Sequence, residues 1–216
     1  MNMLENDDLV SLITDLVLKE LKSGEIQVNK VPVSISARHI HLSKEHLEAL
    51  FGADHKLTKV KDISQPGQFA AEEKVTLVGS KGKIENVRVL GPLRKETQVE
   101  ISITDSRALG IKPVISESGN LEGTPGITII GPKGTINIDK GCLVAERHIH
   151  MTSHDAKVFG VIDGQKVNVK AEGHRGGVFM NVVIRVREDY ALDMHIDVDE
   201  ANAFDISNGD MLEILK

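Results

Sequence analysis

A single cysteine, Cys142, in 216 residues excludes an internal disulfide framework, and its apolar, strand-like surroundings mark it as core rather than ligand or nucleophile. Aromatics make up only 3% of the chain, and none are interleaved with basic side chains in the way that stacks on nucleic-acid bases. Basic blocks are missing as well. The 26 Lys and Arg against 32 Asp and Glu leave a net charge of −6, which argues against nucleic acid as the main partner. Any phosphate-bearing ligand must therefore find local arginines and lysines. No apolar run is long enough to span a membrane, and the opening Met1–Asp8 stretch is acidic, unlike a secretory leader. At 40% hydrophobic and 27% charged, the chain is expected to be a cytosolic, soluble protein of one large or two small domains, with no nucleic-acid or membrane partner.

What the chain does contain is one short stretch written twice: Arg38-His39-Ile40-His41-Leu42-Ser43 and Arg147-His148-Ile149-His150-Met151-Thr152. Side chains alternate faces along a strand, so the two histidines of each His-x-His point the same way while the central isoleucine turns to the core. Self-similarity continues downstream, where Val99–Ile111 lies over Met194–Ile206 and pairs Glu100 with His195, both read as lying on apolar-alternating strands. The pattern yields two three-ligand sets, His39/His41/Glu100 and His148/His150/His195. Three protein ligands with an open fourth position are what a catalytic zinc site has.

Residues 7–22 read as a helix. Asn6 or Asp7 can cap it, acidic residues fill the first turn, lysines the last, and Gly24 follows. Leu9, Ile13, Leu16 and Val17 form its apolar stripe, and 23–30 looks like a linker. This segment lies outside the repeat and fits either a helix packed on the core or at a dimer contact, or a docking peptide for a partner's groove.

From Val31 onward the pattern is mainly β. Val31–Ala37 alternates and runs into the first His-x-His. Ser43 and Thr152 stand at N-cap positions, the latter with Asp155 in a capping box, and short helices are expected to end at Phe51-Gly52 and Phe159-Gly160. Glycine-bearing turns at 79–82 and 131–134, with a looser one around Gly173 and Gly176-Gly177, give hairpins. The expected fold is mainly β: two small β-barrels related by the internal repeat, capped by short helices, with the metals near their junction. Between hairpin and Glu100, Gly91-Pro92-Leu93-Arg94 reads either as an anion clamp built on Arg94 or as a surface arginine beside Glu96. Its counterpart in the second half has Asp189 where the first has Arg94.

Together, Ser34–His41, Gly91–Arg94 with Gln98-Val99-Glu100, Ala145–His150 and Asp193-Met194-His195 resemble the zinc-dependent phosphate propanoyltransferases, the phosphotransacylases of bacterial microcompartments. The resemblance runs from about residue 28 to the C-terminus. It implies reversible transfer of a short acyl group, propanoyl or acetyl, between coenzyme A and inorganic phosphate, giving an acyl phosphate. It implies two zinc ions per chain on the two triads, Arg94 on the phosphate, and coenzyme A near Ser36 with Lys81 and Arg88 at its phosphates. It also implies an exchanged first strand: residues 28–37 plus 146–216 in one barrel, 38–145 in the other. Residues 1–27 then resemble a peptide that recruits microcompartment shell or core proteins and sends the chain to the compartment lumen, and self-association into a homo-oligomer goes with this reading. Two alternatives draw on the same ligands. One is a cupin-like metal-dependent oxygenase or isomerase, and the other is a non-catalytic, zinc-stapled assembly module.

Overall fold

In the computed structural model, which describes residues 29–215, each His-x-His begins where the chain crosses from one β unit to the other. Strand β1 (Lys30–Ser36) precedes β2 (His39–His41), and β10 (Cys142–Ala145) precedes β11 (His148–Met151). β1 does not stay with β2. It pairs in parallel with β14 (Asp193–Asp197) and antiparallel with β15 (Met211–Leu215), and so closes a six-stranded barrel ordered β1-β14-β11-β13-β12-β15, where β12 is Lys166–Ala171 and β13 Gly177–Val186. Reciprocally, β10 leaves β11 behind and pairs in parallel with β6 (Gln98–Glu100). The cores record the exchange. Val31 and Val33 pack with Ile149 and Val169 in the barrel, while Cys142 and Val144 pack with Ile40 and Val99 in the other unit. Ile40 and Ile149, the central residues of the two motifs, are fully buried as the alternation requires.

The first unit is a nine-stranded open sheet rather than a closed barrel. Its order is β7-β10-β6-β2-β5-β4-β8-β9, with β3 (Lys59–Asp62) also on β4. Here β4 is Phe69–Val78, β5 Lys83–Gly91, β7 Ile115–Ser116, β8 Ile127–Ile130 and β9 Thr135–Ile138. In the barrel, β15 bonds β1 and closes the ring. The equivalent edges here are already taken, β8 by its hairpin partner β9 and the four-residue β10 by the two-residue β7. One backbone bond, Cys142 N–H to the Pro125 carbonyl at 2.9 Å, spans the seam.

Four short helices follow the strands that matter: α1 (Lys44–Phe51) after β2, α2 (Ile103–Leu109) after β6, α3 (Ser153–Phe159) after β11 and α4 (Val198–Phe204) after β14. Ser43 and Thr152 cap α1 and α3 as expected, Thr152 in a capping box with Asp155. Glu100 and His195 lie on strands as expected, and those strands stop at Glu100 and Asp197 and turn into α2 and α4. Ser102/Asp105 and Asp197/Glu200 form capping boxes there, and these S/T/D-x-x-D/E spacings are the signal the alternating apolar pattern concealed. Hairpin glycines seat against helix ends. A Cβ on Gly79 would lie 2.1 Å from the Leu109 carbonyl oxygen, and one on Gly131 2.5 Å from that of Leu50. The helix expected over 7–22 lies outside the described residues. Among those described, no helix is long and apolar enough to cross a membrane.

Candidate metal centre

Strand register assembles the two triads. β2 runs antiparallel to β6 with His39 opposite Glu100, and β11 runs antiparallel to β14 with His148 opposite His195. Within each set the ligand atoms of the three side chains lie within 4.8 Å of one another. Both sets face one cavity of about 480 Å³ between the units, lined also by Ser36, Arg94 and Asp189.

The donors fit a divalent cation. The His39 ring Nδ1 is 2.8 Å from the Ala37 carbonyl and that of His148 is 2.8 Å from the Glu146 carbonyl. A carbonyl only accepts, so Nδ1 carries the proton in each ring and Nε2 presents its lone pair inward. Glu100 Oε1 accepts from Gln98 Nε2 at 2.5 Å and from the Ser118 hydroxyl at 2.8 Å, which turns Oε2 to 3.4 Å from His39 Nε2. His41 Nδ1 and both ring nitrogens of His150 are buried without a hydrogen-bond partner. Leaving such atoms unsatisfied costs about 1–3 kcal/mol each, which a metal ion would offset. Imidazole-rich sets of three with one carboxylate suit zinc.

Around these ligands, Arg94 stands with Arg185, Tyr190 and Gln65, and of these only Arg94 carried a motif. Arg185 on β13 stands opposite His150 in the parallel β11–β13 register, where the first half has Leu90 opposite His41. It lines the cavity and is paired with Glu117 at 3.1 Å. Arg94 is anchored through its backbone N–H to the Leu42 carbonyl at 2.9 Å. Its guanidinium donates to His41 Nε2 at 2.8 Å and reaches the Ser118 hydroxyl at 3.3 Å. Tyr190 stacks on His150 with ring centres 4.0 Å apart. Gln65, from the loop before β4, exchanges two hydrogen bonds with the backbone of Ala191 across the unit boundary. Three guanidiniums, those of Arg94, Arg185 and the Asp189-paired Arg187, thus share a cavity with two cation-ready triads, an arrangement suited to an anionic ligand.

The phosphate propanoyltransferase family model matches residues 32–207, a span that holds both triads, Arg94 and Arg185. The chain belongs to the phosphate propanoyltransferase family. It is 53% identical to the phosphate propanoyltransferase of Thermotoga maritima over 95% of this chain and 100% of that one. Similar matches reach the phosphate propanoyltransferases of Lachnoclostridium phytofermentans, 51% identical over 97% and 99%, and of Clostridioides difficile, 48% identical over 97% and 99%.

Of the residues expected to bind coenzyme A in a phosphate propanoyltransferase, Ser36 lines the cavity but Lys81 and Arg88 do not. Lys81 sits at the β4–β5 hairpin tip, its N–H bonded to Leu109 O at 3.0 Å. Arg88 lies opposite His39 in register, and its guanidinium is spent on the carbonyls of Ala71 at 2.8 Å and Glu72 at 3.2 Å.

Burial, reinforced for His148 by the neighbouring His195, depresses the pKa values of His148 and His195 from 6.5 to about 4. His39 moves the other way. Burial opposes its charge, but the Glu100 carboxylate overrides that and raises it. In the metal-stripped protein the depressed pair binds fewer protons when folded than when unfolded between pH 6.5 and about 4. Their stabilisation is present above pH 6.5 and lost as pH falls through about 4. His39 supplies the opposite dependence only above pH 6.5. The melting temperature of the chelated protein should therefore drop steadily across that window, and a flat profile there would contradict it.

Proposed function

We propose that this chain transfers a short acyl group, propanoyl or acetyl, reversibly between coenzyme A and inorganic phosphate at this cavity, with two zinc ions on His39/His41/Glu100 and His148/His150/His195. The observation that carries the reading is the convergence of both triads and of Arg94 and Arg185 on one cavity in a family of phosphate propanoyltransferases. The match covers both triads, so the cupin-like alternative is set aside.

In the forward direction a phosphate oxygen attacks the thioester carbonyl, an acyl–oxygen bond forms, the carbon–sulfur bond breaks, and the phosphate proton ends on the coenzyme A thiol. Zinc, when bound, supplies Lewis acidity toward the oxygen on which charge accumulates. The remaining work falls to side chains. Arg94 and Arg185 bind the phosphate and offset its repulsion from the developing oxyanion, converting a bimolecular encounter into a positioned attack. Gln98 and Ser118 hold Glu100, and Gln65 ties the loop before β4 to the Ala191 backbone over the cavity. Coenzyme A approaches along β1 beside Ser36. No serine or cysteine nucleophile takes part. Burial pushes the Cys142 thiol up to about 12, which suits a core role.

Pairing of β1 with β14 and β15 supports dividing the chain into 28–37 plus 146–216 and 38–145. The apolar stripe of Leu9, Ile13, Leu16 and Val17 supports residues 7–22 as a docking peptide for microcompartment proteins. Zinc-loaded protein mixed with propanoyl or acetyl phosphate and coenzyme A should form the corresponding acyl-coenzyme A. Zinc bound tightly with no transfer from either donor would overturn the enzymatic reading in favour of the zinc-stapled assembly module.

A further inference from the structure

Each His-x-His is preceded by an arginine that belongs neither to the cavity lining nor to the ligand set. Arg38 and Arg147 sit at the two points where the chain crosses between units, directly before His39 and His148. Arg38 grips Asp105 with a two-pronged contact, Nε to Oδ2 at 2.9 Å and Nη2 to Oδ1 at 2.8 Å. Arg147 Nη1 reaches Glu200 Oε1 at 3.0 Å. Asp105 and Glu200 are equivalent residues, each the third residue of the helix that follows the third ligand of its own triad and each already engaged in that helix's capping box. Asp105 is buried and Glu200 partly so, while Arg38 and Arg147 reach them from the solvent side with side chains 44% and 31% exposed.

We propose that Arg38 and Arg147 are positioning residues, each locking the His-x-His strand of one metal triad to the helix that follows that triad's third ligand. The need for such a lock follows from strand length. β2 meets β6 over three residues and β11 meets β14 over three, so short ladders alone fix His39 against Glu100 and His148 against His195. The crossing residues have the same task by a second route, since the carbonyls of Ala37 and Glu146 orient the first histidine of each motif. Backbone and side chain of the crossing thus act on both ends of the triad: one sets the ring of the first ligand, the other sets its distance from the third. Planar, fork-shaped guanidinium suits the two-pronged Asp105 contact, which an ammonium cannot reproduce. Because each arginine serves its own half, losing one should harm one metal site and spare the other, whereas general loosening of the fold would weaken both.

This inference rests on the reading that the triads bind metal, and the test separates the two. Zinc content per chain and zinc affinity by chelator competition would be measured on wild type, Arg38→Ala, Arg147→Ala and Arg38→Lys, with thermal melting alongside. Cobalt substitution adds a spectroscopic signature, because the two sites differ in ligation, two imidazoles with a carboxylate against three imidazoles. Arg38→Ala should weaken one of two sites by about 10–100-fold, the range found for partners that orient metal ligands, and remove the carboxylate-site cobalt spectrum. Arg147→Ala should do the same to the three-histidine site, and Arg38→Lys should fail to restore the first. If Arg38→Ala does not fold, Asp105→Asn, which keeps an oxygen for the Ser102 cap, should give the same single-site loss. Two sites of unchanged affinity in the variants would overturn the proposal alone. Wild type that binds no zinc would overturn the metal reading and this inference with it.

Discussion

Stripping metal from the purified protein with a chelator should lower acyl transfer by about 10³-fold or more, and zinc should restore it. A metal acting as Lewis acid supplies several kcal/mol of transition-state stabilisation, and each 1.4 kcal/mol is about tenfold in rate. On the proposed reading, Arg94 and Arg185 are committed to holding the phosphate nucleophile. His41 cannot stand in as an acid near neutrality, because burial, with His39 and Arg94 nearby, keeps its pKa well below 6.5. His150 is similarly held neutral by burial and by His148. Apart from His39, whose pKa the Glu100 carboxylate raises, the histidines of the triads therefore offer lone pairs rather than protons, which is the state a metal requires. Turnover that persists once elemental analysis shows the zinc gone would sink the metal-dependent reading.

Arg94→Ala should cost about 10²–10³-fold in turnover while metal content stays near wild type. Its guanidinium is held at 2.8 Å from His41 Nε2 and 3.3 Å from the Ser118 hydroxyl, facing the cavity rather than solvent. The second half has Asp189 at the equivalent place, and the nearby Arg187 is held by that carboxylate at 2.9 and 2.6 Å rather than left free to replace Arg94. Arg185 stands elsewhere, opposite His150, and should preserve part of the phosphate affinity, so the larger loss is expected in kcat than in KM for phosphate. Arg94→Lys should recover only a fraction, since one ammonium cannot take two phosphate oxygens in a planar fork. Because Arg94 touches His41, zinc analysis on the same sample is indispensable. Full turnover with full metal would remove Arg94 from the chemistry.

The two His-x-His motifs, the hairpins and the Thr152 cap could be read from local sequence because each depends on residues close together in the chain. Glu100 and His195 emerged only through the repeat, since neither has a distinctive neighbourhood of its own. Arg185 stayed hidden. It sits in a ten-residue strand among ordinary alternating residues, and what brings it to the cavity is parallel pairing with His150, 35 residues earlier. Lys81 and Arg88 stood out in the sequence as basic residues but lie outside the cavity lining, Lys81 at a hairpin tip and Arg88 donating to backbone carbonyls. Barrels were legible, but not that only one of the two would close, because whether β8 bonds β9 or completes a ring is decided by competition for an edge and not by any property of β8 alone.

The exchange of first strands also sets an order in time. β1 is the earliest described strand to leave the ribosome, yet its partners β14 and β15 are the last to be made. Until they appear, Val31 and Val33 have no core to enter, and the crossing at Arg38 has only one of its two anchored ends. Contacts between residues so far apart in sequence are slow to form, because the entropy of closing the intervening loop is spent before any packing is gained. A ribosome stalled near residue 190 would therefore hold a chain with its first sheet nearly complete and its opening segment still unpaired.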